Sequence, residues 1–167
     1  MEKYQHVLRK ESIKWIDSNN FHITLHFLGQ INEEQIQNIS DGLGEIAEKT
    51  EPFNFQLKGI GVFPNSWRPK VFFAGTDQIS LLENVYESVE KMVETYGFER
   101  ENRPYHPHLT FARIKYLRHG DKLHSLLERD KYRFFQEVAV SEIILFESIF
   151  KASGTVYEPI ATFPLGK

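Results

Sequence analysis

The sequence predicts an α+β protein, with helices interspersed among strands that are partly joined by hairpins, and not a doubly wound parallel sheet. Three observations carry that class. Two long stretches place apolar residues at helical spacing: Ile36, Ile39, Leu43 and Ile46, then Leu82, Val85, Val89, Met92 and Val93. Several shorter runs alternate apolar with polar residues as strands do. One short motif also occurs once in each half, as His22-Ile23-Thr24-Leu25 and as His108-Leu109-Thr110-Phe111.

Taken in order, Tyr4, Val7 and Leu8 mark the tail of a short helix over residues 4–11, and Ile13, Trp15 and Asp17 a short strand. Ser18-Asn19-Asn20 is a turn. Residues 21–28 read as the first clear strand, with Phe21, Ile23, Leu25 and Phe27 on one face and His22, Thr24 and His26 on the other. Asn32 is an N-cap, with Glu33 and Glu34 in the first helical turn, where the helix dipole favours acids. Strands follow over 53–62 and 69–75, separated by a loop from Phe63 to Trp67, and the second long helix spans 79–96. The second motif opens a strand over 108–114, and a short helix lies around 120–130. Residues 134–150 read as one long or bulged strand, and Gly154 turns the chain into a last strand over 155–163. The repeated motif suggests two lobes related by an approximate two-fold within a single domain, residues 1–167.

Composition bounds the function. The chain has 167 residues, a net charge of −3, 41% hydrophobic and 26% charged residues, as expected of a soluble globular domain. That charge argues against holding nucleic acid by general attraction, although a locally basic site for a nucleic-acid end remains open. The absence of cysteine excludes disulfides, thiolate nucleophiles and cysteine-based zinc sites. No apolar run is long enough to span a membrane, so the expected location is cytoplasmic.

The motif carries the chemistry. Residues two apart on a strand share a face and lie roughly 7 Å apart, so His22 with Thr24, and His108 with Thr110, can address one small ligand. Imidazole titrates near neutrality and serves as general acid or base. A threonine hydroxyl donates to a non-bridging phosphate oxygen. In-line displacement at phosphorus needs a base on one side and an acid on the other, and two histidines supply both. The repeat is symmetric, so spacing does not say which histidine does which job.

The flanks of the two motifs, Phe21-His22-Ile23-Thr24-Leu25-His26-Phe27-Leu28-Gly29 and Arg103-Pro104-Tyr105-His106-Pro107-His108-Leu109-Thr110-Phe111-Ala112-Arg113, strongly resemble the two-histidine phosphoesterase superfamily. The branch is that of the RNA 2′,3′-cyclic phosphodiesterases, also called 2′-5′ RNA ligases. Arg68 to Gly75 is similar to the family's central strand, and Val140 to Ser148, with Gly154 and Tyr157, to its C-terminal hairpin. The resemblance implies a bilobal fold, two antiparallel sheets lining a central cleft with helices outside, and neither metal nor cofactor. It implies His22 as general acid, His108 as general base, and Thr24 and Thr110 as phosphate holders. The substrate implied is an RNA 3′ end bearing a 2′,3′-cyclic phosphate, or a small cyclic nucleotide, opened to a 2′-phosphomonoester. The reverse reaction would give a 2′-5′ linkage. Relatives of this type begin with a further hydrophobic strand that has no counterpart here. A monomer is expected, with a sheet edge left open to dimerisation.

Other residues have weaker claims. Arg113 is placed to add charge to phosphate binding. Arg68 and Arg103 could face an RNA backbone, and Trp67, Phe63 and Tyr105 are of the type that stacks bases. His26 is too far along the strand from His22 to share a metal and reads as a cleft-edge residue, while His106 suggests substrate contact or solvation. His6, His119 and His124 read as surface residues. Three alternatives stay open. A zinc hydrolase would use His22, His106 and His108 with a carboxylate, although no established zinc spacing supports it. A nucleotide-binding module would bind without turnover. A phosphodiesterase of a small cyclic or 2′-5′-linked nucleotide would share the chemistry with another substrate.

Overall fold

The computed structural model describes residues 1–101, 103–151 and 154–166. Its elements are α1 (Glu2–Val7), β1 (Ser12–Trp15), α2 (Glu33–Glu48), β2 (Phe53–Phe63), β3 (Val71–Thr76), α3 (Ile79–Thr95), β4 (His108–Tyr116), α4 (Gly120–Arg129), β5 (Phe134–Val140), β6 (Glu142–Lys151) and β7 (Gly154–Pro164). The class is α+β. One sheet has five strands in the order β1-β4-β3-β2-β5, and a second consists of the β6–β7 hairpin. The pairings β1–β4, β3–β4, β2–β3 and β6–β7 are antiparallel.

The chain divides into two compact units. The first comprises residues 1–23, 56–77 and 107–138, and holds most of the five-stranded sheet with α1 and α4. Its core joins Tyr4 and Leu8 of the α1 segment, and Leu123 and Leu126 of α4, to Phe72, Phe111 and Ile114 of the sheet. Tyr4 meets Phe72 edge-on at 5.4 Å, and its hydroxyl donates to Asp130 at 2.9 Å. Asp130 also accepts two hydrogen bonds from Arg129, at 2.9 and 2.7 Å. Those bonds hold its carboxyl well below the usual range, and burial with the Asp130 contact pushes the Tyr4 phenol up.

The second unit comprises residues 24–55, 78–106 and 139–167, with α2, α3 and the hairpin. Its core is Ile39, Leu43 and Ala47 of α2, Val85, Val89 and Val93 of α3, and Ile143, Leu145 and Leu165. Each such large aliphatic side chain contributes about 2 kcal/mol by leaving water. The expected cap of α2 is present as a full capping box: Asn32 accepts from the Gln35 amide at 2.9 Å, and Gln35 accepts from the Asn32 amide at 3.0 Å.

Three expectations are corrected. Residues 21–28 form no strand. Among the described residues no ladder forms along 22–28, because no neighbouring strand presents its backbone groups there. Nor does burial alternate as expected, since Phe27 is 67% exposed. Residues 134–150 are two strands, not one, and the chain changes sheets at Ser141, whose carbonyl accepts the Leu165 amide at 2.9 Å. The first helix starts at Glu2 and ends at Val7. Gly154, expected as a turn, is the first residue of β7 and pairs with Lys151; residues 152–153 lie outside the described residues.

Candidate active site

The second motif is built into the middle of the larger sheet. β4 pairs with β3 from His108 to Arg113 and with β1 only from Ala112 onward, so the backbone carrying His108 and Thr110 is held by the β3 ladder. Directly opposed residues of an antiparallel pair share a face. On β3 the partners of His108 and Thr110 are Gly75 and Phe73, which puts all four on one face. Leu109 and Phe111 turn into the core.

Strict alternation would send Arg113 to the opposite face from Thr110. The register prevents this: Phe73 faces Thr110 but the next residue, Phe72, faces Ala112, so Phe111 is an extra residue in β4. Such a bulge re-aims every side chain beyond it. Val71 is the partner of Arg113, and Val71, Phe73 and Gly75 alternate without interruption along β3. Arg113 is therefore returned to the face of His108 and Thr110, and it is exposed there.

His108 is half-buried and stands edge-on to Phe63 at 5.0 Å and tilted to Phe73 at 5.2 Å. The two phenyl rings stack on each other at 4.4 Å. Gly61 makes this possible: it lies opposite Phe73, and a Cβ there would fall 2.4 Å from the ring. Phe63 is thus the last residue of β2 and a support for His108, not a loop aromatic offered to a base.

His22 belongs to the same unit as His108. Its Nδ1 lies 2.8 Å from the Asn20 carbonyl oxygen. A carbonyl only accepts, so Nδ1 carries the proton in this hydrogen bond. Asn20 ends a short 3-10 turn capped by Asp17, which accepts from the Asn19 amide at 2.9 Å.

Thr24, Leu25 and the residues up to Leu28 belong to the other unit and are held by side chains. Leu25 and Leu28 pack on its core. The Tyr105 hydroxyl donates to the Thr24 carbonyl at 3.3 Å, and Tyr105 lies flat on Tyr86 at 4.1 Å. Burial pushes the Tyr105 phenol up, so it remains a donor across the neutral range. His26 Nδ1 lies 2.5 Å from Glu90 Oε1, with the His26 side chain 7% and that of Glu90 0% exposed. The other Glu90 oxygen accepts the Glu101 amide at 3.0 Å. His26 is therefore a buried partner, and the expectation of a cleft-edge residue is corrected because Glu90 draws it inward. Tyr86 and Glu90 are one turn apart on α3, a spacing close to that of Thr24 and His26 along extended chain.

The remaining sequence candidates divide. Trp67 is 91% exposed beyond β2, beneath an Asn65 side chain that accepts the Trp67 and Arg68 amides at 3.1 and 3.0 Å. Arg68, Arg103 and His106 are exposed. His6, His119 and His124 lie on the surface, His119 beside Glu11 at 3.1 Å. Among the described residues no three His, Cys, Asp or Glu side chains are grouped to hold a metal ion, and no helix is long and apolar enough to cross a membrane. The sequence reading missed Glu90, Phe73 and Gly61. A signal existed for Glu90 alone, an acid next to Val89 in the apolar stripe of α3.

An α+β fold with a repeated His-x-Thr motif defines a class of phosphoesterases. The chain belongs to the LigT like Phosphoesterase family, whose pattern matches residues 1–73 and 76–157. It is 32% identical over 95% of its length to the RNA 2′,3′-cyclic phosphodiesterase of Methanocaldococcus jannaschii, covering 88% of that protein. It is 35% identical over 92% to the protein of the same name from Aquifex aeolicus, covering 82% of it. Among solved structures it is similar to TT0787 of Thermus thermophilus, with a TM-score of 0.82 and 28% identity over 99% of this chain and 89% of that one. E. coli LigT complexed with 3′-AMP shares the fold, with a TM-score of 0.73 and 24% identity over 99% and 91% of the two chains.

Proposed function

We propose that residues 1–167 act as one RNA 2′,3′-cyclic phosphodiesterase domain that opens a terminal 2′,3′-cyclic phosphate to a 2′-phosphomonoester. The observation that carries this reading is the pair of complete His-x-Thr motifs in a chain about one-third identical, over nearly its whole length, to proteins named for that activity. His108 takes a proton from water, and the water oxygen bonds to phosphorus. The bond from phosphorus to the 3′ oxygen breaks, and His22 gives the leaving oxygen a proton from Nε2. The assignment of acid and base follows the family resemblance. Thr24, Thr110 and Arg113 hold the non-bridging oxygens, whose charge grows as the new bond forms. Replacing water with a 5′-hydroxyl takes the same steps in the same direction and gives a 2′-5′ linkage.

The chain's own residues support these roles. The Asn20 carbonyl holds the Nδ1 side of the His22 ring, and Phe63 and Phe73 restrict the ring of His108. Arg113 shares the face of His108 and Thr110 because of the β4 bulge. The test is hydrolysis of an RNA ending in a 2′,3′-cyclic phosphate, with EDTA present and the product phosphate position assigned. A 2′-phosphate, a bell-shaped pH profile and loss in both His22→Ala and His108→Ala are expected. Binding without turnover by folded protein would replace this reading with a nucleotide-binding module. Loss of activity on adding EDTA would replace the metal-free mechanism.

A further inference from the structure

β1, β3 and β4 read Ser-Ile-Lys-Trp, Val-Phe-Phe-Ala-Gly-Thr and His-Leu-Thr-Phe-Ala-Arg-Ile-Lys-Tyr, and contain no carboxylate. This holds in a chain with 23 acidic and 20 basic residues. Their cations are Lys14, Arg113 and Lys115. Lys14 is the direct cross-strand partner of Arg113, so it stands on the face of His108 and Thr110. Lys115 is two residues beyond Arg113 on the same strand and returns to that face. All three are exposed, and among the described residues no carboxylate forms an ion pair with any of them.

Like charges directly opposed across a ladder repel, and surface positions of this kind commonly carry an opposite charge. Here the repulsion is left in place, in a stripe that begins at the candidate catalytic histidine. Along β4 the pairing steps place Thr110 roughly 7 Å from His108 and Arg113 roughly 13 Å from it, with Lys14 on the next strand about 5 Å to the side. A single phosphate gripped at His108 and Thr110 lies beyond the two lysines. A polyanion whose phosphates recur along the strand would reach them.

Resting on the phosphodiesterase reading, we infer that Lys14 and Lys115 form with Arg113 a cationic track for the backbone phosphates of a single-stranded RNA upstream of its cyclic end. The lysines select a polymer over a mononucleotide, and they do so through charge without reading bases.

The experiment compares kcat/KM of wild type and Lys14→Gln/Lys115→Gln on two substrates: 2′,3′-cyclic CMP, and a short single-stranded RNA ending in a 2′,3′-cyclic phosphate. In the double variant KM for the RNA rises about tenfold at ~0.1 M salt, and the slope of log kcat/KM against log salt flattens by about 1.4, the share of two phosphate contacts on a single strand. The constants for cyclic CMP stay within about twofold. Equal losses on both substrates, or no loss on either, would overturn the track. If the wild type turns over neither substrate, the phosphodiesterase reading fails by itself. Fluorescence anisotropy with the same RNA ending in a 3′-phosphate then decides the track: weaker, less salt-dependent binding by the double variant upholds it, and unchanged binding refutes it.

Discussion

The two copies of His-x-Thr are nearly the same in sequence and are supported by opposite means. His108-Leu109-Thr110-Phe111 lies in β4, where the ladder to β3 and one bond from the Ile16 amide to the Phe111 carbonyl set its position through backbone hydrogen bonds. His22-Ile23-Thr24-Leu25 lies on extended chain with no ladder. It is fixed at points: Nδ1 of His22 on Asn20, the Thr24 carbonyl under Tyr105, and His26 against Glu90. Backbone ladders tolerate many side chains, whereas point contacts depend on particular ones. The second motif should therefore withstand changes around it, and the first should fail through residues that carry no chemistry.

That contrast can be tested in order of expected effect. Both histidines should matter equally despite their different supports: His22→Ala and His108→Ala each lower kcat on 2′,3′-cyclic CMP by about 10²–10⁴-fold. A loss under tenfold in either variant would show that the motifs are not chemically equivalent. Glu90→Ala strips the partner from a buried pair and should cost about 3–5 kcal/mol in urea unfolding. Arg113→Ala, exposed beside the second motif, should leave stability within about 0.5 kcal/mol.

Asp130 offers a pH-dependent comparison on the core face of the sheet. Its carboxyl is held below the usual range chiefly by Arg129, so the unfolded chain binds that proton more readily. The stability it adds is complete above the ordinary aspartate value near ~4 and is lost as pH falls towards the folded value. Asp130→Asn should therefore lower stability at pH 7 by about 2 kcal/mol and flatten its decline in acid. Equal acid sensitivity of wild type and variant would remove Asp130 from that account.

Smaller effects follow. Thr24→Ala and Thr110→Ala should each raise KM about 5- to 10-fold, the worth of one hydrogen bond to a charged oxygen. Tyr105→Phe removes a single hydroxyl and keeps the ring stack, so amide exchange around Thr24 should quicken by about fivefold. The amides of β4 should not change. If exchange quickens in β4 as well, the supports of the two motifs are not independent.

Much of the molecule was legible beforehand. The two long helices follow from Ile36 to Ile46 and Leu82 to Val93, because a 3.6-residue period has one buried face to satisfy. The Asn32 cap was visible since its pairing with Gln35 is local. The strand expected at 21–28 was not formed, because alternation describes side chains and a strand also needs a neighbour. The break at Ser141 was hidden for a related reason: both sides of it alternate, and only the partner strands differ.

By itself, the sequence determined the α+β class, the two His-x-Thr motifs and the absence of thiol chemistry, since period, spacing and composition are local properties. Tertiary structure alone decided that Arg113 and Lys14 share the face of His108, that Phe63 and Phe73 bear on its ring, and that His26 is spent on Glu90. The first two depend on register, since one extra residue in β4 reverses which side of the sheet Arg113 faces, and the third on α3 packing against a segment outside any strand. A register is a relation between strands far apart in the chain, set when they meet, and no single strand records it.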